Sequence, residues 1–292
     1  MMLLNHDNLL RFMLENSDMR GAIVTLESTF QHSASLQSVD AVTKKLLGEF
    51  LAAVSLVNAS IKREGTLTLQ AQGKGYLRLV AAEINQHGHV RAIVRVNREI
   101  SHDVKNENLR KDLKEGLLFL TLDPVSGQRY QGVVPVDAQT LSTCLRDYFI
   151  QSEQIPTIFC LYATETKCGG LLLQLLPSAR VRDEEERANL WETVEHLCAT
   201  LNAEEFFSVS HETLLYRLFH EQGCRVLSED SIEFRCSCSR ERSAVAIQAL
   251  GREDASELLS EQGSIDIDCE FCGKRYVFTE ENMGEVFPDL PN

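Results

Sequence analysis

An α+β fold is predicted: an N-terminal domain combining helices with an antiparallel or mixed sheet, a helical linker, and a small C-terminal cysteine-bearing domain. Three observations predict it. Period-2 runs follow one another through the first 177 residues without the regular strand–helix alternation of a parallel α/β fold. After Pro177 the texture changes to acidic, amphipathic helices. Four of the nine cysteines then fall within residues 232–292.

Taken in order, Ser38–Ala59 carries Leu46, Leu47, Phe50, Val54 and Val57 at helical spacing. TLTLQAQ (66–72), YLRLVAAEI (76–84) and HVRAIVRV (89–96) alternate apolar and polar side chains, with turns at Gly73–Gly75 and Gln86–Gly88. A hairpin over 116–136 turns at Asp123–Gly127, Thr140–Gln151 reads as a helix, and IFCLYAT and GGLLLQLLP supply two more strands. Asp183 and Glu186 form a capping-box-like start for a helix running to Leu201, with Leu190, Val194 and Leu197 on one face. A second helix spans His211–Glu221. Helices are expected at Arg240–Leu250 and Ala255–Ser260, and hairpin strands at SIDID (264–268) and KRYVF (274–278). The expected division is a core domain over 1–177, an acidic helical linker over 178–231 and a C-terminal domain over 232–292.

Charge follows the same division. The 292 residues hold 29 Lys and Arg against 43 Asp and Glu, a net charge of −14. Residues 1–177 are balanced at 18 of each sign, while 178–231 and 232–292 each carry −7. No basic stripe is present to neutralise a run of phosphates, which argues against nucleic-acid binding. The acidic helices read either as an ordinary packed subdomain or as a self-repelling segment of marginal stability. The first residues, MMLLNHDNLLRFMLENSD, lack the basic start of a signal peptide, and the longest apolar runs are too short to span a bilayer. A cytoplasmic protein without a membrane partner is expected, in a compartment where clustered cysteines mean metal or redox chemistry.

Cys236-Ser-Cys238 and Cys269-Glu-Phe-Cys272 are two close pairs separated by 30 residues, the form of a four-thiolate zinc site holding one Zn2+ per chain. Gly273 supplies the positive φ that curls the backbone and aims amide N–H groups at the sulfurs. So short a segment rarely sustains its own core, so the metal would supply the missing stability. In an extended Cys-x-Cys segment both side chains share a face, with Cα atoms about 6.5–7 Å apart, at the upper limit for a disulfide. Oxidation there and the zinc-bound fold would exclude one another. Arg235, Arg240, Arg242, Lys274 and Arg275 lie nearby in sequence, either favouring thiolates or simply forming a solvated face.

Together with FRCSCSRER (234–242), RYQGVV (129–134), YFIQSEQIPT (148–157) and GGLLLQLLP (169–177), these cysteines make the chain resemble the 33 kDa chaperonin family along its full length. The resemblance implies a redox-regulated holdase. Cys236, Cys238, Cys269 and Cys272 bind zinc when reduced and form Cys236–Cys238 and Cys269–Cys272 disulfides when oxidised. Zinc release then melts the tail and linker, a homodimer forms, and unfolded or aggregation-prone client proteins are held without ATP. Cys168 stands where the family pattern leads one to expect a small residue such as Ala. The resemblance leaves open whether Cys144, Cys160, Cys168, Cys198 or Cys224 join the oxidation chemistry, and no pattern marks the client-binding surface.

The five remaining cysteines sit mostly in apolar surroundings and read as buried small hydrophobes. His87 and His89 read as exposed turn residues, and Gly73-Lys-Gly75 as a turn rather than a phosphate loop. The competing classes are a zinc-ribbon interaction or nucleic-acid module, disfavoured by the acidic tail, and an enzyme. Four sulfur ligands leave no open position for a zinc hydrolase, and Cys-x-x-Cys outside a βαβ setting is weak for an oxidoreductase. No enzymatic activity is expected.

Overall fold

The computed structural model describes residues 7–15, 17–61, 64–100, 108–177, 181 and 183–287. The chain divides into two compact units, 1–235 and 236–292.

The larger unit is built around two sheets and one buried helix. Its elements run β1 (Asn8–Leu14), β2 (Met19–Leu26), α1 (Ser28–Ser35), α2 (Ala41–Ser60), β3 (Gly65–Gln72), β4 (Leu77–Asn85), β5 (His89–Val96), α3 (Leu109–Leu113), β6 (Leu117–Pro124), β7 (Tyr130–Pro135) and α4 (Leu141–Tyr148). A π-helical turn over Phe149–Glu153 extends α4. Then follow β8 (Thr157–Ala163), β9 (Cys168–Leu175), α5 (Glu184–Thr200), α6 (Ala203–Ser208), α7 (His211–Phe219), β10 (Cys224–Ser231) and β11 (Glu233–Phe234). One sheet has the order β10-β1-β2-β9-β8 and is antiparallel throughout; the other has the order β11-β5-β4-β3-β6-β7. In the second sheet the short β11 joins β5 in parallel, while the remaining pairs are antiparallel.

Helix α2 lies between the sheets, touching β2, β8 and β9 on one side and β3, β4 and β5 on the other. The expected apolar stripe is therefore only part of its buried surface: Gly48, Ala52, Ala53 and Ser55 are buried as well. Asp40 caps its start, accepting a hydrogen bond from the Thr43 amide.

Strands β1 and β2, which no alternation announced, are covered on both faces. Leu9, Ala22 and Val24 join the α2 core, while Leu10, Phe12, Leu14 and Ile23 face the other way into a second core formed with α5, α6 and α7. A strand buried on both faces reads as a continuous apolar run, which explains the missing period. Strand β9 is buried at every position for the same reason.

Residues 184–219 thus form a helical layer on the outer face of the five-stranded sheet. Asp183 caps α5, accepting from the amides of Glu185 and Glu186. Val194, Cys198, Phe206, Leu214, Leu215, Leu218 and Phe219 bury the layer's apolar side. After it, β10 pairs with β1 as a largely exposed polar edge strand that sequence polarity concealed.

The smaller unit contains α8 (Arg240–Gln248), α9 (Arg252–Gln262), β12 (Ile265–Asp268), β13 (Arg275–Phe278), a 3-10 turn at Glu280–Asn282, and α10 (Met283–Val286). Strands β12 and β13 form the expected hairpin. Among the described residues its buried apolar core is Ile247, Ala255, Leu259, Ile265, Tyr276, Phe278 and Val286.

Candidate metal centre

Two local structures bring the four C-terminal cysteines together. Cys236 and Cys238 lie in the connection between β11 and α8, outside any strand ladder. This connection is shaped by Ser239, which caps α8 by accepting from the Arg242 amide, and by Arg242, whose guanidinium donates to the Ser237 carbonyl and hydroxyl. Cys269 and Cys272 occupy the β12–β13 turn. There the Cys272 and Gly273 amides donate to the Cys269 carbonyl, and the Cys269 amide donates to the Lys274 carbonyl. Gly273 has φ +69°, and nothing lies within 4 Å of where a Cβ would stand. Glycine is needed there for conformation rather than for space.

All four Sγ atoms lie within 4.8 Å of one another, each cysteine being half-buried. Cys236 Sγ is 3.6 Å from Cys269 Sγ, and Cys238 Sγ is 3.4 Å from Cys272 Sγ. Sulfurs at the corners of a tetrahedron around one ion with bonds of about 2.3 Å would be roughly 3.8 Å apart. The donor set and its span fit a single cation with a taste for sulfur and leave no room for a polynuclear cluster. This is the one such group of metal donors among the described residues.

The surrounding hydrogen bonds prepare the sulfurs unequally. Burial opposes ionisation of Cys238, yet hydrogen bonds, first among them that of the Tyr276 hydroxyl at 3.2 Å, bring its thiol down to about 7. Burial pushes Cys272 up to about 12 against the opposing Lys274 amide. Burial also raises Cys269, opposed by the amides of Cys272 and Phe271. Backbone donors do point at the thiols, as the turn glycine suggested. A divalent cation would displace the remaining protons.

The neighbouring bases are occupied elsewhere. Arg275 is paired with Asp268 through two hydrogen bonds, Arg240 donates to the Val277 carbonyl and covers the Phe278 ring, and Lys274 lies over the Tyr276 ring. Arg235 lies within ion-pairing distance of Glu233. Arg235, Arg242, Lys274 and Arg275 are exposed, so of the two readings the solvated face describes these residues better than activation of thiolates. Tyr276 is the functional side chain that sequence spacing missed; its only signal was an aromatic residue four positions after the second pair.

The other five cysteines lie outside this cluster. Cys144, Cys168 and Cys198 are buried, and Cys160 and Cys224 are half-buried. His87 is exposed in the β4–β5 turn, while His89 lies 3.1 Å from Glu233. No helix among the described residues is long and apolar enough to cross a membrane.

Comparison with known proteins places this geometry in context. The family model described as Hsp33 protein matches residues 7–279. A 33 kDa chaperonin from Pseudomonas fluorescens (strain Pf0-1) is 41% identical over 286 residues, covering 97% of this chain and 94% of the relative. One from Pseudomonas aeruginosa (strain LESB58) is 42% identical over 279 residues, covering 95% and 93%. The crystal structure of a 33 kDa chaperonin (heat shock protein 33 homolog) from Thermotoga maritima superposes with a TM-score of 0.80 at 23% identity, over 96% of this chain and 97% of that one. The two share a fold.

Proposed function

The chain belongs to the Hsp33 family, and from that membership we propose that it is a redox-regulated, ATP-independent holdase that binds unfolding proteins and prevents their aggregation under oxidative stress. The observation that carries the regulatory reading is the convergence of Cys236, Cys238, Cys269 and Cys272 within 4.8 Å on a unit with a seven-residue core. These residues would hold one Zn2+, which when bound would tie the start of the unit to its β12–β13 turn and keep the sulfurs as thiolates.

In this reading the reduced form is inactive. An oxidant such as hydrogen peroxide removes two electrons from each cysteine pair, making Cys236–Cys238 and Cys269–Cys272 disulfides while each peroxide is reduced to two waters. The thiolate donors are thereby lost, and the small unit loses the cross-link its core depends on. The linker role assigned to residues 178–231 gives this a route to activity. If the α5–α7 layer loosens, the apolar outer face of β1, β2, β8 and β9 becomes a surface for clients. Homodimerisation on activation and a cytoplasmic location belong to the same proposal, without a nucleic-acid or membrane partner and without enzymatic turnover.

The test is direct. Peroxide with mild heating should release one zinc per chain to a chelating dye and switch on suppression of client aggregation; dithiothreitol with zinc should reverse both. Equal protection by reduced and oxidised protein would sink the proposal. Peptide mapping adds the pairing. Trypsin does not cut between Cys236 and Cys238 or between Cys269 and Cys272, so the proposed disulfides lie within single peptides. The nearest sulfurs, Cys236 with Cys269 and Cys238 with Cys272, would instead link two peptides.

A further inference from the structure

We propose that the cavity between the two sheets, where α2 ends, is a binding site for a free α-amino acid with an apolar side chain. The cavity measures about 430 Å³, within the roughly 300–1,000 Å³ of small-molecule sites. Arg20 on β2 and Gln174 on β9 reach it from one sheet, and Leu67 on β3 with Leu120 and Leu122 on β6 from the other. Phe149 and Ile155 complete the apolar wall, and the exposed Tyr130 and Glu153 stand at the mouth.

Two opposite charges face this space, and neither is paired with a charge among the described residues. Arg20 is half-buried. Its Nε and Nη2 donate to Gln174 Oε1 at 3.1 and 2.9 Å, and Nη2 also donates to the Ser60 carbonyl at 2.9 Å. Gln174 is 1% exposed and donates to the Thr157 hydroxyl at 3.5 Å, so the guanidinium is held in place. Arg20 Nη1 has no hydrogen-bond partner among the described residues. A partly desolvated guanidinium without an acid is costly, and burial lowers the Arg20 pKa accordingly. At the mouth, Glu153 Oε1 accepts from the hydroxyls of Tyr130 at 3.0 Å and Tyr148 at 3.3 Å, while Oε2 has no donor among the described residues. Opposite charges on one apolar cavity, not paired with each other, are complementary to a ligand that carries both. A zwitterion would set its carboxylate on Arg20 Nη1, its ammonium on Glu153 Oε2, and its side chain against Leu67, Leu122, Phe149 and Ile155.

The backbone is bent to build this mouth. The π-helical turn over Phe149–Glu153 is followed by Gln154 at φ +56°, a left-handed conformation that disfavours any residue with a Cβ. The Ile155 amide closes the turn by donating to the Phe149 carbonyl at 3.1 Å. Phe149, Glu153 and Ile155 all line the cavity as a result. Gly132 leaves room for the Tyr148 hydroxyl behind Glu153, since a Cβ there would stand 2.3 Å from that oxygen. Strain of this kind is kept where the surroundings of a site over-determine it. The site goes beyond the four-cysteine switch and does not depend on it.

Calorimetric titration of the full-length reduced protein tests the assignment, with L-phenylalanine as the probe. Phenylalanine should bind saturably, at one site per chain. Hydrocinnamate lacks the ammonium and phenethylamine lacks the carboxylate, so each should bind on the order of tenfold more weakly. Arg20→Gln should weaken phenylalanine and hydrocinnamate by a similar factor and leave phenethylamine unchanged. Glu153→Gln, an exposed change that keeps an acceptor for the tyrosines, should weaken phenylalanine and phenethylamine and spare hydrocinnamate. A urea midpoint for each variant separates loss of the site from loss of the fold, and the three-compound comparison on wild type needs no variant. No saturable binding at millimolar phenylalanine, or equal binding of either singly charged compound, would overturn the proposal. So would folded variants that bind phenylalanine as wild type does.

Discussion

The Tyr276 hydroxyl donates a hydrogen bond to Cys238 Sγ at 3.2 Å, linking the buried core of the small unit to a sulfur whose pKa that bond lowers. Tyr276 is 6% exposed, so the donor is held by packing rather than by solvent. Removing only its oxygen, in Tyr276→Phe, should leave the ring packed and weaken metal retention on the order of tenfold, as loss of an outer hydrogen bond to a metal ligand generally does. The rate of zinc transfer from reduced protein to a chelating dye measures this. An unchanged rate would remove Tyr276 from the site.

Metal removal should separate the two units energetically. With a strong chelator and reductant present, amides of residues 240–287 are expected to lose protection while those of α2, β3 and β4 keep theirs. A core of seven buried apolar residues is too small to hold the smaller unit unaided. Persistent protection of β12 and β13 without metal would contradict that dependence.

Gly169 marks where the helical layer meets the sheet. A Cβ there would stand 2.4 Å from the Val24 carbonyl oxygen and 2.7 Å from the Phe206 ring. The ring can shift but the strand carbonyl cannot, so Gly169→Ala should cost about 1–3 kcal/mol by overpacking. A lowered urea midpoint for the larger unit is the expected readout, and an unchanged midpoint would show that the strand pair yields.

Acid should loosen the same interface through His211. It is 8% exposed, its Nε2 is 2.8 Å from the Thr25 hydroxyl, and its Nδ1 has no hydrogen-bond partner among the described residues. Burial lowers its pKa to about 4, although Glu212 and Glu229 pull the other way. The unfolded chain takes up this proton near pH 6.5 and the folded one only near 4, so stability falls as pH drops between those values. The full loss is about 3 kcal/mol, reached below pH 4. Urea unfolding at pH 7 and pH 4.5 should show a smaller difference in His211→Gln than in wild type; equal differences would acquit His211.

What the sequence revealed depended on how each element meets solvent. Strands β3 to β5 have one polar face, so their alternation was plain, and α5 announced itself through the Asp183 cap. Strands β1 and β2 are sandwiched between α2 and the α5–α7 layer, which erases alternation, while β10 is an acidic edge that looks like a loop. The cysteine cluster was legible because two short spacings encode it locally. Tyr276 beside Cys238, and Cys160 Sγ beside the Cys198 carbonyl, are meetings of distant segments that local pattern does not record. The bases near the cysteines admitted two readings from sequence, thiolate activation or a solvated face, because local spacing does not show that carboxylates, carbonyls and rings engage them.

The hand-over between β10 and β11 has a mechanical consequence. Residues 224–231 close the β1 edge of one sheet, and Glu233–Phe234 close the β5 edge of the other. Ile232, 4% exposed, bridges them with its amide bonded to the Asp7 carbonyl. One stretch of chain is therefore a clasp on two seams. Peeling it back from Arg235 would first part a two-residue parallel pair and then unzip β10. Both sheets would be left at once with an open row of backbone donors and acceptors, each a template for strand addition.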